Sequence, residues 1–180
     1  MTISENGINL IKFFEGKETL YSLLPEFVAY KCPGGVWTIG WGTTIYPDKT
    51  FVKQGDTCII QQARRWLLFD LNKVENELIP YLNNLNLNQG QYDSIVSFSY
   101  NTGVYAFYTS TIFKTIKTGG IVTEDMFIRW NKATADHDGK DNDGDGLIDE
   151  PGEKKMLTGL TNRRRAEFYL YQNNKLNILK

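Results

Sequence analysis

From Asp56 to Tyr81 apolar residues return with a helical period: Ile59, Ala63, Trp66, Leu67, Val74 and Leu78 mark one stripe at about 3.6 residues per turn. A helix of that length is the element around which the rest of the chain must fold. Asp56 or Thr57 is the expected N-cap. The segment before it obeys another rule. Val28, Tyr30, Val36, Trp37, Ile39, Trp41 and Ile45 are β-prone, and Pro33-Gly34-Gly35, Gly40 and Gly42 punctuate them. Residues 28–46 therefore read as short antiparallel strands with tight turns.

On the N-terminal side, Thr2-Ile3-Ser4-Glu5 reads as a capping box. Ile8, Ile11 and Phe14, with Leu10 and Phe13 beside them, give the helix it opens an apolar face, and the helix should end near Gly16. Residues 17–27 have no clear period, and Pro25 argues against a helix there. A further helix is expected over 88–100, with Gly103 as its stop. Shorter ones are expected over 109–118, 123–134 and 160–173. The order is helix, small sheet, long helical region. The fold class is α+β, mostly helical, with a small antiparallel sheet near the N-terminus. A chain of 180 residues suits one domain. Within it a β-lobe is expected over about 16–55 and a helical lobe over about 56–180.

Several classes are excluded. With 41% hydrophobic and 23% charged residues the chain is not of the disordered type. No apolar run approaches the roughly 20 residues that cross a bilayer, so no stable membrane insertion is expected. The start, Met1 to Gly7, lacks a positive region followed by an apolar stretch, as a cleaved signal would require. Two cysteines, Cys32 and Cys58, are too few for a disulfide scaffold. Synthesis in the cytoplasm fits these features. The single histidine, His137, argues against a Ser/His or Cys/His catalytic pair.

The formal charge of −1 hides an asymmetry. Residues 136–153 hold eight acids and one base, −7, which leaves +6 on the rest. A basic body suits an anionic polymer such as a wall glycan, a nucleic acid or an acidic membrane surface; it equally suits solvated helix faces. No nucleic-acid recognition motif, Rossmann turn or P-loop accompanies it, so no nucleic-acid partner is expected.

Glu15 closes the first helix beside Phe13 and Phe14. Burial keeps a carboxyl protonated near neutral pH, and a carboxylic acid so placed can protonate a glycosidic oxygen. A glutamate in the last turn of a helix is otherwise a solvated residue. The surroundings bear on that choice. Phe14-Glu15-Gly16 precedes Ala29-Tyr30-Lys31-Cys32-Pro33-Gly34-Gly35-Val36-Trp37-Thr38-Ile39-Gly40-Trp41-Gly42-Thr43-Thr44. Downstream come Asn88-Gln89-Gly90-Gln91-Tyr92-Asp93, then Ser97-Phe98-Ser99-Tyr100-Asn101-Thr102-Gly103 and Ser110-Thr111. Gly159-Leu160-Thr161-Asn162-Arg163-Arg164-Arg165-Ala166-Glu167 follows. In this order and spacing the segments resemble the phage lysozyme (endolysin) family. That signature is a Glu-Gly helix end, a Tyr-x-Asp/Cys, a Gly-x-x-Thr-Ile-Gly-Tyr-Gly and a C-terminal Gly-Leu-x-x-Arg-Arg-x-x-Glu. The likeness covers nearly the whole chain except 136–153 and about 18–27.

The resemblance implies a lysozyme-like fold and cleavage of the β-1,4 bond between N-acetylmuramic acid and N-acetylglucosamine in peptidoglycan. It implies Glu15 as general acid, with Cys32 and Thr38 at the positions of the family's Asp or Cys and its Thr. It implies Arg163 as partner of the glutamate, and Tyr30, Tyr100 and Asn101 along the glycan cleft. Thr38 could hold a water through its hydroxyl. Cys32 could position that water, act as thiolate or attack the sugar itself, or be a small buried hydrophobe. Arg163 could equally be a surface helix arginine, and Tyr100 plain core. Two departures stand out. Glu15 and Cys32 lie 17 apart, roughly eight more than in shorter family members, which brings Glu18 and Glu26 near as rival acids. Thr43 stands where the family often has His. No signal peptide being seen, the family implies release to the wall through a holin pore or carriage on a virion.

Asp141-Asn142-Asp143-Gly144-Asp145-Gly146-Leu147-Ile148-Asp149-Glu150 reads D-x-D-x-D-G. Alternate acids aim oxygens at a hard cation, Gly146 allows the turn, and the Leu147 carbonyl adds a ligand. A standard twelve-residue loop needs an acid at position 12, where Gly152 stands; Glu150 or Glu153 could close the shell. The expected ligands are Asp141, Asp143, Asp145, Leu147 and Glu150, around a structural Ca2+ with no catalytic part. The alternative is a solvated acidic loop. The whole is expected as a monomer that hydrolyses peptidoglycan. The competing classes are a non-catalytic wall-binding or virion module and a calcium-sensing interaction protein.

Overall fold

The structure, a computed structural model, describes residues 1–16, 26–32, 34–134, 140–141 and 154–178. Helix α1 (Glu5–Glu15) is followed by strands β1 (Glu26–Val28), β2 (Tyr30–Lys31), β3 (Trp37–Thr38) and β4 (Thr57–Ile59). Then come α2 (Ile60–Leu82), α3 (Gln89–Thr102), α4 (Val104–Thr109), α5 (Thr111–Lys117) and α6 (Glu124–Ile128). The strands β5 (Lys132–Thr134) and β6 (Lys154–Met156) precede the last helix, α7 (Thr158–Asn173). This is the mostly helical α+β arrangement that the periodicity predicts. The strands form three antiparallel pairs, β1 with β4, β2 with β3, and β5 with β6.

The long helix starts later than its stripe suggests. Thr57, Cys58 and Ile59 pair with Val28, Phe27 and Glu26, because β-branched Thr57 and Ile59 suit an extended ladder. Asp56 does not cap. Its carboxylate accepts from Tyr46 Oη at 2.8 Å and from the Lys53 amide at 2.9 Å, closing the turn before β4. Ile59 is the residue before the first turn, and its N–H donates to Gln62 Oε1 at 3.1 Å. Similarly, α1 is capped by Ser4 rather than Thr2: Ser4 Oγ accepts from the Asn6 amide at 3.2 Å.

The expected helix over 123–134 ends at Ile128. Buried Asn131 turns the chain. Its side-chain amide donates to Thr161 Oγ1 at 3.0 Å, and its carbonyl accepts from the Leu157 amide at 2.9 Å. Residues 132–134 then pair as β5 with β6, Lys132 opposite Met156 and Thr134 opposite Lys154. The expected helix over 109–118 is α5, and Gly103 is followed at once by the short α4, which the periodicity missed.

The main core joins α2, α3, α4, α5 and α6 through Leu67, Leu71, Leu78, Ile95, Phe107, Ile112 and Phe127. Phe98 of α3 is its hub, with ring centroids 6.4 Å from Phe107, 5.8 Å from Phe127 and 5.5 Å from Trp130. Each such buried side chain contributes about 1.5–3 kcal/mol of transfer free energy. Helix α3 meets α7 closely at Gly90, where an added Cβ would lie 2.6 Å from Leu170 O.

The start of α1 is held from two sides by buried carboxylates. Asp93 of α3 accepts from the Ser4 amide at 2.8 Å and from the Ser4 hydroxyl. Glu75 of α2 accepts from the Ile3 amide at 2.7 Å and from Tyr92 Oη at 2.9 Å. Both fix α1, and so the residue at its far end. No helix among the described residues is long and apolar enough to cross a membrane.

Candidate active site

Glu15 is the last residue of α1, and Gly16 N–H closes the turn on Lys12 O at 2.8 Å. Its side chain is 23% exposed, and Oε1 takes a 2.5 Å charge-assisted bond from Arg163 Nη1. Arg163 is buried, so the pair is screened from solvent on the α7 side and open on the other. Of the alternatives open at the sequence level, a surface arginine is excluded: Arg163 spends its guanidinium on Glu15, on Glu167 at 3.2 Å and on Ser97 O at 3.5 Å.

Cys32 and Thr38 come together on the β2–β3 hairpin. Tyr30 pairs with Thr38 and Lys31 with Trp37. Cys32 N–H donates to Val36 O at 3.0 Å and Gly35 N–H to Cys32 O at 2.8 Å, which tightens the turn. The Val36 amide foremost, then the Gly34 amide and the Thr38 hydroxyl, point at the sulfur and hold the Cys32 thiol below the usual thiol range. Thr38 is buried and has one hydroxyl proton, with Val36 O at 3.2 Å and the Cys32 sulfur as rival acceptors.

Tyr30 and Tyr100 join the two sides. Burial first, then the nearby charges of Glu15 and Cys32, raise the Tyr30 phenol above its usual range. Burial and then Glu15 do the same for Tyr100, whose hydroxyl donates to Trp41 O at 3.1 Å. Gly42, at φ +97°, passes between Tyr100 and Glu15; an added Cβ would lie 3.1 Å from Tyr100 Oη and 3.7 Å from Glu15 Oε2. Only glycine suits that conformation and that gap. Asn101 is the outer member of the set, and its Oδ1 accepts from Arg164 Nη2 at 2.7 Å.

The comparisons with known proteins bear on the family. The phage lysozyme family description matches residues 26–167. The chain belongs to the phage lysozyme family. The endolysin of Acyrthosiphon pisum secondary endosymbiont phage 1 is 33% identical over 175 residues, 96% of this chain and 99% of that one. The solved endolysin from Escherichia coli O157:H7 phage FAHEc1 is 31% identical, with a TM-score of 0.79 over 98% of this chain and 97% of its own. The muramidase domain of SpmX from Asticaccaulis excentricus is 26% identical, with a TM-score of 0.70 over 94% and 97%. This chain is thus a lysozyme, a glycoside hydrolase of peptidoglycan.

In this phage lysozyme a groove of about 680 Å³ is lined by Asn101, Ser110, Thr111, Arg129, Trp130 and Lys154. Its mixture of one flat ring with hydroxyl and cationic groups suits a sugar chain. Three residues at the site escaped sequence reasoning. In the sequence Gly42, Arg164 and Glu167 match motifs of the family and carry no role of their own. The signal available was their i, i+3 and i, i+4 spacing from Arg163 and Arg164 to Glu167. Glu18, His137 and the expected calcium ligands Asp143, Asp145, Leu147 and Glu150 lie outside the described residues; Asp141 is described and exposed. Among the described residues no three His, Cys, Asp or Glu side chains gather closely enough to hold a metal ion.

Proposed function

We propose that this lysozyme hydrolyses the β-1,4 bond between N-acetylmuramic acid and N-acetylglucosamine, with Glu15 as general acid and Cys32 with Thr38 on the opposite face of the sugar. The observation that carries this is the Glu15–Arg163 pair at the end of α1, with Tyr30 within the fields of both Glu15 and Cys32. Glu15 gives its proton to the glycosidic oxygen as the bond from that oxygen to C1 breaks. A water held by Thr38 attacks C1 and passes its proton to the Cys32 thiolate. Water attack of this kind inverts the anomeric centre. Tyr30, Tyr100 and Asn101 line the glycan, and Arg163 orients Glu15 rather than touching the sugar.

The test is digestion of purified peptidoglycan by the wild type and Glu15→Gln, with mass spectrometry of the fragments. Reducing N-acetylmuramic acid ends from the wild type alone are expected. Anhydro ends would identify a lytic transglycosylase on the same scaffold, and equal cleavage by Glu15→Gln would remove it as the acid.

The lysozyme acts as a monomer of one domain, a β-lobe and a helical lobe with the cleft between them. It is made in the host cytoplasm and reaches the wall on release, where it serves lysis, as the endolysin relatives suggest. The acidic segment 141–150 binds one structural Ca2+ through Asp141, Asp143, Asp145, the Leu147 carbonyl and Glu150. The supporting features are the alternate acids of the sequence and the β5–β6 pairing, which holds Thr134 against Lys154 at the base of the segment. Added calcium should raise the melting temperature and a chelator should lower it; no change with either would exclude the ion.

A further inference from the structure

Glu167 has no part in the reaction as described, yet its carboxylate is wholly buried beneath the site. Oε1 accepts from Ser97 Oγ at 2.9 Å, Arg163 Nε at 3.2 Å and Arg164 Nη2 at 3.3 Å. Oε2 lies 3.1 Å from Arg164 Nε without the alignment of a hydrogen bond, so that contact is Coulombic. Both arginines also reach beyond Glu167, Arg163 through Nη1 and Arg164 through the same Nη2. Arg163 reaches Glu15 and Arg164 reaches Asn101. One buried carboxylate therefore stands between two guanidiniums, and each guanidinium ends on a residue of the candidate site.

We infer that Glu167 is a positioning residue that sets the Glu15 carboxyl through Arg163 and the Asn101 amide through Arg164. The guanidinium is a rigid planar fork. Fixing Nε on Glu167 fixes the direction in which Nη1 points, and so the place of Glu15 Oε1. Arg164 is equally buried, and a guanidinium only donates. Asn101 must turn its carbonyl oxygen inward to it, which leaves the NH₂ group to donate into the groove. That donor suits the acetamido carbonyl or a hydroxyl of an N-acetylated sugar. Without Glu167, two adjacent buried cations would repel each other and share Glu15 as counter-charge, and the acid would lose its single geometry.

This inference rests on Glu15 being the acid, so Glu15→Gln is assayed beside the test variants on soluble peptidoglycan fragments. Glu167→Gln keeps the shape and removes the charge. Its kcat per folded molecule should fall about 10- to 100-fold, the scale of a small misplacement of a catalytic group, with KM little changed. In an Arg163→Met background the same substitution should cost little more, because the two act as one unit. Unchanged kcat in Glu167→Gln, or the same loss in both backgrounds, overturns the proposal. Should Glu167→Gln fail to fold, Ser97→Ala removes one donor from the same oxygen. A few-fold fall in kcat is then expected, and an unchanged kcat overturns the proposal. An active Glu15→Gln would remove the acid assignment instead, whatever Glu167→Gln does.

Discussion

The two sides of the candidate site are built in opposite ways. Glu15 sits at the end of a helix whose start is clamped by carboxylates of α2 and α3 and whose end is ion-paired to α7. Its partners come from far along the chain and are buried. Cys32 and Thr38 sit on a short hairpin whose strands are two residues each, and the groups that surround the sulfur belong to residues 32–38. That side is local. The contrast follows from the chemistry proposed for each. A group that delivers a proton to one oxygen needs a fixed geometry, whereas a group that handles water needs access to it.

The largest effects are expected on the acid side. Glu15→Gln should lower the rate by about 10²- to 10⁴-fold, the usual worth of a general acid, with folding intact by circular dichroism. A residual rate within tenfold of the wild type would end the asymmetry. Arg163→Met comes next. It leaves Glu167 buried with one partner fewer, and the loss of one member of a buried ion pair costs about 3–5 kcal/mol, read by urea unfolding. Cys32→Ala, made on the local side, should leave the unfolding midpoint in place. Equal destabilisation by both would show that the hairpin is as integral as α7.

A pH profile sharpens the comparison further. Amide and hydroxyl donors hold the Cys32 thiol below its usual range. Its thiolate is present above that value and is lost as pH falls through it. If the thiolate is the base, wild-type activity falls on the acid side over that interval. Cys32→Asp puts there a carboxyl that ionises near pH 4, so the acid-side fall should move to lower pH. An unmoved limb would leave Cys32 without a base role.

The local side was the more legible one in the sequence. Tyr30, Cys32, Thr38, Gly40 and Gly42 fall within a single glycine-punctuated stretch, where pattern gives the strands and turns and the family resemblance gives the roles. Glu15 is a candidate acid from its own helix end, but its pairing with Arg163 comes only through a family resemblance, because the two are 148 residues apart and no periodicity links them. The role of Glu167 was illegible for a related reason. A charged residue on a helix reads as solvated until the packing of α3 on α7 buries it. The fold erred at boundaries, where tertiary partners outbid local preference. Asp56 looks like a cap but closes a turn onto Tyr46, and residues 132–134 follow a helical stretch but pair with β6.

The smallest expected effect tests whether the two sides are independent at all. Ser4 caps α1 and gives its hydroxyl proton to buried Asp93. Ser4→Ala should cost about 1–2 kcal/mol, the upper part of the range for a lost N-cap, read by thermal unfolding. The thiols report on the other side. Cys58 is buried and its thiol is pushed up to about 11 by desolvation, so iodoacetamide should label Cys32 well before it. Because the groups that lower the Cys32 thiol come from its own hairpin, its labelling rate should be the same in Ser4→Ala as in the wild type. A changed rate would mean that the register of α1 reaches β2 and β3, and that the acid and the thiol are held by one framework rather than two.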